Sequence, residues 1–341
     1  MLYFNCDYLE GAHPQIMRRL VETNAEQTEG YGEDPYCQSA RERIRLSCAQ
    51  PEAEVFFLVG GTQANATVID GLLRPWECVL SASTGHIAVH EAGAIEGAGH
   101  KVVELAHDEG RLLAETIDAY MSAFLADPTH EHMPAPALVY LSYTTEYGTL
   151  YSLEELEAIR QVCDTYGLAL FIDGARLGYG LVSSKADVTL ADIARLCDAF
   201  TIGGTKVGAL FGEALVFSQK ACPAHFFTLM KQRGAVLAKG RLLGLQFDTL
   251  FTDDLYFTIA RHAVDLAMKL KAAFLERGYL MPIDSPTNQQ FVVLENNKLA
   301  ELEKQVVFSF WEPYDENHTV VRFATSWATK EEDLEALIAL L

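Results

Sequence analysis

Lys206 lies in Gly203-Gly204-Thr205-Lys206-Val207-Gly208, directly after the apolar run DAFTI. A lysine set among glycines beside apolar strands can lose solvation, which lowers its pKa and leaves an amine able to attack an aldehyde. On its own, such a residue is more often a solvated loop lysine or a phosphate clamp. Thirty-three positions earlier, Asp173 opens Asp173-Gly174-Ala175-Arg176 at the end of LALFI. A carboxylate at the base of a site can keep a heteroaromatic nitrogen protonated, although a bare Asp-Gly usually opens a turn. The third place is Gly60-Gly61-Thr62, which follows EVFFLV and precedes the helical pattern QANATVIDGLL. Two glycines let the backbone come close, and the free N–H groups and dipole of a helix start attract phosphate. Alone, this too would be a plain turn.

These residues work together only if the elements around them bring them to one edge. The interval between Asp173 and Lys206 is that of one strand-to-strand crossover, which places both at the same edge of a sheet. Ligands of open α/β sheets bind outside the carboxyl ends of strands. A phosphate turn, an acid and a lysine at that edge form the set expected for pyridoxal 5'-phosphate.

From Glu54 onward, apolar runs alternate with helical patterns, which predicts an α/β fold with a mainly parallel sheet sandwiched by helices. Expected strands are Val55–Val59, Cys78–Ser81, Lys101–Leu105, Ala137–Ser142, Leu168–Ile172, Ala199–Ile202 and Ala214–Phe217. Expected helices are Thr62–Leu73, Ile87–Gly97, Arg111–Leu125 and Leu153–Tyr166. A long helix over Phe247–Arg277 then leads to strands Gln290–Leu294, Val306–Phe310 and Thr319–Ala324. The change of texture divides the chain into an arm (1–50), a large cofactor-binding domain (51–240) and a smaller α+β C-terminal domain (241–341).

The net charge of −21 argues against nucleic acid or an anionic membrane as partner, since both demand a basic footprint. No apolar stretch reaches the ~20 residues that span a bilayer, and MLYFNCDYLEGAHP lacks the basic and apolar regions of a signal peptide. A cytoplasmic location is expected. The seven cysteines are scattered and form no C-x-x-C pair, so reduced thiols are expected rather than disulfides or zinc. His86, His90 and Glu91 are not in an H-E-x-x-H frame, and no metal is expected.

In order, the chain shows Tyr31-Gly32-Glu33-Asp34-Pro35, G-G-T-Q-A-N from Gly60, H-I-x-x-x-E-x-G-A from His86, D-G-A-R from Asp173, G-T-K-x-G around Lys206 and V-R-F-A-T-S-W around Arg322. This series resembles the low-specificity L-threonine aldolases of the β-eliminating lyase group, enzymes of the aspartate aminotransferase fold (fold type I). The resemblance covers nearly the whole chain. It implies that Gly60, Gly61, Thr62 and Thr205 hold the cofactor phosphate, that His86 stacks on the pyridine face, and that Asp173 pairs with the ring nitrogen. It further implies that Lys206 forms the Schiff base, that Arg176 reaches the ring hydroxyl or the substrate carboxylate, and that Arg322 clamps that carboxylate. Without the family context, His86 would be read as a surface or capping residue.

The family also places a histidine near the substrate hydroxyl, and His132, with His130 beside it, is the nearest fit. Lys231 and Arg233 in KQRGAVLAKGR resemble a stretch that enters the neighbouring subunit's site, although a basic helix face would look the same. Cys6 and Tyr31 of the arm are expected beside the substrate. Two departures stand out: Cys6-Asp7-Tyr8 replaces the family's Ser-Asp-Thr, and Tyr143-Thr144-Thr145-Glu146 replaces Glu-Asn-Thr-His. The activity implied is cleavage of threonine-type β-hydroxy-α-amino acids to glycine and an aldehyde, by a homodimer or homotetramer with shared sites. Another β-eliminating lyase or racemase, or a protein that binds the cofactor without turnover, remains open on the sequence. A dehydrogenase reading is disfavoured because no G-x-G-x-x-G follows an early strand.

Overall fold

The computed structural model describes residues 1–218 and 221–341. Its strands, in chain order, are β1 Leu2–Tyr3, β2 Glu54–Leu58, β3 Glu77–Ala82, β4 Lys101–Leu105, β5 Ala135–Ser142, β6 Ala169–Asp173, β7 Ala199–Gly203, β8 Glu213–Phe217, β9 Gln289–Glu295, β10 Val306–Val307, β11 Ser309–Pro313 and β12 His318–Ala324. The central sheet runs β2-β8-β7-β6-β5-β3-β4. Its strands pair in parallel except β8, which is antiparallel to both neighbours. Residues 204–212 are too short for the crossover that a parallel return from β7 requires.

Period-2 alternation sends successive side chains of each strand to opposite sides of this sheet. Leu170 and Ile172 of β6 join Val139, Leu141, Phe200 and Ile202 in one core, while Phe171 joins Leu138, Val79 and Leu215 in the other. Helices cover both faces. Leu153–Tyr166 starts in a capping box formed by Ser152 and Glu155 and stops at Gly167, which is left-handed. Gly61–Leu72 starts at Gly60 with no side-chain cap, which leaves its first N–H groups without a side-chain partner.

Two expected helices are interrupted. Ile87–Gly97 is instead His86–Val89 and Ala94–Gly97, separated by Ala92 (φ 51°) and Gly93 (φ 72°). Phe247–Arg277 is instead Arg241–Leu250 and Leu255–Glu276, broken where Asp253 and Asp254 adopt φ 52° and 55°. Aspartate tolerates that conformation better than most side chains, and periodicity alone does not reveal it. The expected strand Val306–Phe310 is divided between β10, which pairs with β1, and β11 of the three-stranded antiparallel sheet β11-β12-β9. That sheet packs on Leu266, Leu270 and Phe274 of Leu255–Glu276.

The N-terminal arm is anchored by one buried carboxylate. Asp248 accepts from Arg19 at 2.6 Å, Ser39 at 2.6 Å and Arg43 at 2.8 Å, which ties Pro14–Glu22 and Pro35–Ser47 to Arg241–Leu250. All seven cysteines are free thiols, six of them buried. Among the described residues, no helix is long and apolar enough to cross a membrane.

The ends of β6 and β7 approach so closely that both must carry glycine. A Cβ on Gly174 would lie 1.9 Å from the Thr201 carbonyl oxygen, and one on Gly203 would lie 2.3 Å from that of Ala175. Gly174→Ala is expected to lower stability by about 1–3 kcal/mol or more through forced backbone displacement. Its urea midpoint against wild type checks this, and an unchanged midpoint would refute the close approach.

Candidate active site

Asp173 ends β6 at the carboxyl edge of the sheet and is buried. Its Oδ2 accepts from Asn65 Nδ2 at 2.8 Å and Tyr140 hydroxyl at 2.7 Å, and its Oδ1 accepts from the Ala175 amide at 2.9 Å. Burial works to raise its pKa, but the neighbouring His86 and these three donors outweigh it and hold the carboxyl below its ordinary value. The same Asn65 Nδ2 donates to Glu91 Oε1 at 2.8 Å, and Glu91 Oε1 lies 2.8 Å from His86 Nδ1. Burial pulls the His86 imidazole down, yet the Glu91 bond and the charges of Glu146 and Asp173 leave it raised. His86, Glu91 and Asp173 also bring three atoms of metal-ligand type within 4.8 Å of one another. Asn65 and Tyr140 already organise that cluster.

Lys206 is partly buried in the loop after β7. Desolvation, with Arg176 close by, lowers its pKa against the opposing charges of Asp7, Glu146 and Asp173. Its carbonyl accepts from Tyr179 hydroxyl at 2.5 Å, and Tyr256 hydroxyl donates to the Gly203 carbonyl at 3.0 Å. Thr205 Oγ1 accepts from the Gly212 amide at 3.0 Å. Next to Lys206 on the sheet edge, Glu213 opens β8 opposite Gly203 and Leu58. Burial and the Asp173 charge push its carboxyl up to about 8, opposed by Lys206 and His86. A Cβ on Gly61 would touch Glu213 Oε1 at 4.0 Å, whereas one on Gly60 would meet nothing within 4 Å. Open space therefore lies before the uncapped helix start.

Arg176 does not have the freedom that the sequence reading gave it. Its Nε and Nη2 donate to Asp7 Oδ2 and Oδ1 at 2.8 and 3.0 Å, which leaves Nη1 as the nitrogen that Asp7 does not engage. Asp7 also accepts from Asn288 Nδ2 at 2.9 Å, and although burial opposes it, Arg176 and Lys206 bring its carboxyl down to about 2. Arg322, on β12, donates from Nη1 to Gln289 Oε1 at 2.9 Å and from Nη2 to the Asn5 carbonyl at 3.1 Å. Its buried Nε has no partner. Cys6, buried between Asn5 and Asp7, thus sits next to both arginine anchors.

The structure separates other expected residues from this group. His132 ends a short 3-10 turn before β5, at the amino edge of the sheet. Eight residues of strand lie between it and this chain's own site edge, on the order of 25 Å, so within one chain neither it nor His130 reaches the group around Lys206. Arg233 is bound to Asp70, with Nε at 3.0 Å. Lys231 Nζ lies 4.5 Å over the Tyr31 ring, and Tyr31 is half exposed. Tyr31 and Lys231 make no contact with Lys206 or Asp173 within one chain. The sequence reading missed the roles of Asp7, Asn65, Glu91, Tyr140 and Glu213. Asn65 and Glu91 were visible as fixed letters of G-G-T-Q-A-N and H-I-x-x-x-E, but the contacts of Asp7 and Glu213 depend on tertiary folding.

The family model for beta-eliminating lyases matches residues 5–297. This chain belongs to the beta-eliminating lyase family. A threonine aldolase structure from Leishmania major superposes with a TM-score of 0.96 at 43% identity, covering 100% of this chain and 98% of that one. The low-specificity L-threonine aldolase of Pseudomonas sp. (strain NCIMB 10558) is 28% identical over 98% of this chain and 96% of its own. An aspartate aminotransferase double mutant from Thermus thermophilus shares the fold, with a TM-score of 0.69 at 16% identity, covering 100% of this chain and 90% of that one.

The residues of this beta-eliminating lyase fit pyridoxal 5'-phosphate. An ionised buried carboxylate shares the sheet edge with a partly buried lysine of lowered pKa, and open space lies before uncapped helix N–H groups. Glu213 provides a check on this electrostatic arrangement. The folded protein keeps its proton up to about pH 8, whereas the unfolded chain releases it above its ordinary 4.5. Between those values the folded state binds more protons, so stability falls as pH rises. In cofactor-free protein, Glu213→Gln is therefore expected to gain stability over wild type from pH 5 to 8, by a few kcal/mol at most. Parallel urea-midpoint profiles would rule out a neutral Glu213.

Proposed function

We propose that this chain is a pyridoxal-phosphate-dependent aldolase that cleaves threonine-type β-hydroxy-α-amino acids to glycine and an aldehyde. One observation carries the reading: Lys206, partly buried and with its pKa lowered toward the neutral amine, shares one sheet edge with the ionised Asp173. The likeness to threonine aldolases over essentially the full chain supports the choice of reaction.

In this reading Lys206 attaches the cofactor through its amine. The N–H groups of Gly60, Gly61 and Thr62 hold the phosphate, with Thr205 beside it, and His86 covers one face of the ring. Asp173 keeps a proton on the ring nitrogen, which its own ionised state makes favourable. When bound, the cofactor supplies the sink for the electron pair left at Cα. Arg322 Nε, buried and unpartnered, and Arg176 Nη1 grip the substrate carboxylate. Holding that group decides which bond at Cα is presented for cleavage, so the arginines govern the reaction as well as affinity. Borohydride reduction of the holoenzyme should leave a pyridoxyl group on the Lys206 peptide by mass spectrometry. Incubation with L-threonine should yield glycine and acetaldehyde, and Asp173→Ala should lose at least about a hundredfold in kcat. Pyruvate and ammonia in place of glycine would establish an eliminating lyase instead.

A cytoplasmic homodimer or homotetramer belongs to the same proposal. Tyr31, Phe227 and Leu242 leave a partly exposed apolar strip beside Lys231, away from this chain's own Lys206. Sedimentation velocity is expected to give at least twice the 37.7 kDa chain mass. A monomer at micromolar concentration would end the shared-site idea.

A further inference from the structure

An open cleft of 410 Å³ lies beside the site, with Thr84, His90, Glu146, Trp311 and Arg322 in its wall. Glu146 is nine-tenths buried, at 9% exposure. It also bounds the smaller cavity at the end of β5, with Ser142 and Tyr140. Cationic and titratable groups from every side face it: His86 and His90 after β3, Arg176 after β6, Lys206 after β7 and Arg322 on β12. The Tyr140 phenol is close enough to feel its charge.

The strongest of these partners are engaged elsewhere. His86 Nδ1 bonds Glu91, Arg176 is gripped by Asp7, and Arg322 donates to Gln289 and Asn5. Among the described residues, the Glu146 carboxylate makes no hydrogen bond. The carboxylate of Glu146 is not among the buried atoms left without a partner, because it opens onto the cleft, where water or a ligand hydroxyl can supply the donor. The other acids of the site are unsuited to accept a proton from a ligand. Asp173, Asp7 and Glu91 are held by donors, and Glu213 keeps its own proton beside the phosphate turn. Within this chain, His132 is at the opposite edge of the sheet.

We propose that Glu146 is the catalytic base that accepts the β-hydroxyl proton of the substrate, an assignment that rests on the aldolase reading above. The substrate O–H bond breaks and its proton goes to a Glu146 oxygen. The O–H electron pair becomes the carbonyl π bond of the departing aldehyde. The Cα–Cβ bond breaks, and its pair remains with the Cα fragment. Glu146 then returns its proton to water and Cα takes one from solvent, so the products balance the substrate with no oxidant or reductant.

The test compares wild type, Glu146→Gln and Glu146→His as holoenzymes. For Glu146→Gln, kcat for L-threonine cleavage should fall about 10²–10³-fold while KM moves by less than about threefold. Its affinities for cofactor and for glycine, which has no hydroxyl, should stay within about threefold of wild type when read by absorbance titration. Glu146→His should recover at least about tenfold of the loss. A Glu146→Gln kcat within about threefold of wild type, or an equal loss of glycine affinity, would overturn the assignment. Wild-type holoenzyme that releases no glycine from threonine would instead overturn the aldolase reading itself, before any variant is made.

Discussion

The site depends on keeping one carboxylate ionised in the interior. Removing Asp173 from water should neutralise it, and four elements prevent that. Asn65 comes from the first helix of the large sheet, Tyr140 from β5, the Ala175 amide from the loop after β6, and His86 from the turn after β3. Asn65 and His86 are themselves held, since both lean on Glu91. A buried polar network of this kind is stable only when its bonds are made, so the positions of three strands and a helix are fixed by one charge.

A second compensated charge organises the substrate side. Arg176 and Arg322 repel each other in a buried region, and Asp7 makes their proximity tolerable through its bidentate grip on Arg176. The arm is thus part of the electrostatics of the site as well as packing material. Cys6 and Tyr8 flank this acid, whose charge also acts on Lys206.

Much of this was legible in the sequence because chemistry and local geometry coincide in short motifs. The turn before a helix, the acid after β6 and the lysine after β7 each follow an apolar run, and parallel strands bring such positions to one edge. The interrupted helices were not legible, since Asp253 and Asp254 preserve the apolar period while reversing the backbone. His132 precedes β5 and so lies at the strand's amino end, across the sheet from this chain's own site. Glu146 was seen only as a departure from a motif; its significance comes from neighbours on four other segments of the chain. Glu213 owes its raised pKa to burial and Asp7 its lowered one to Arg176 and Lys206, neighbours that no spacing encodes.

The pairing of Asp7 with Arg176 and Asn288 also bears on how the protein matures. These contacts join residues separated by 169 and 281 positions in the chain. Closing loops of that length is slow and happens late, because the entropy cost comes before the contact can reward it. On a ribosome, the edge formed by β6 and β7 can assemble while β9 and β12 are still being made. The edge that carries Asp173 and Lys206 therefore draws on strands made well before β12, which carries Arg322.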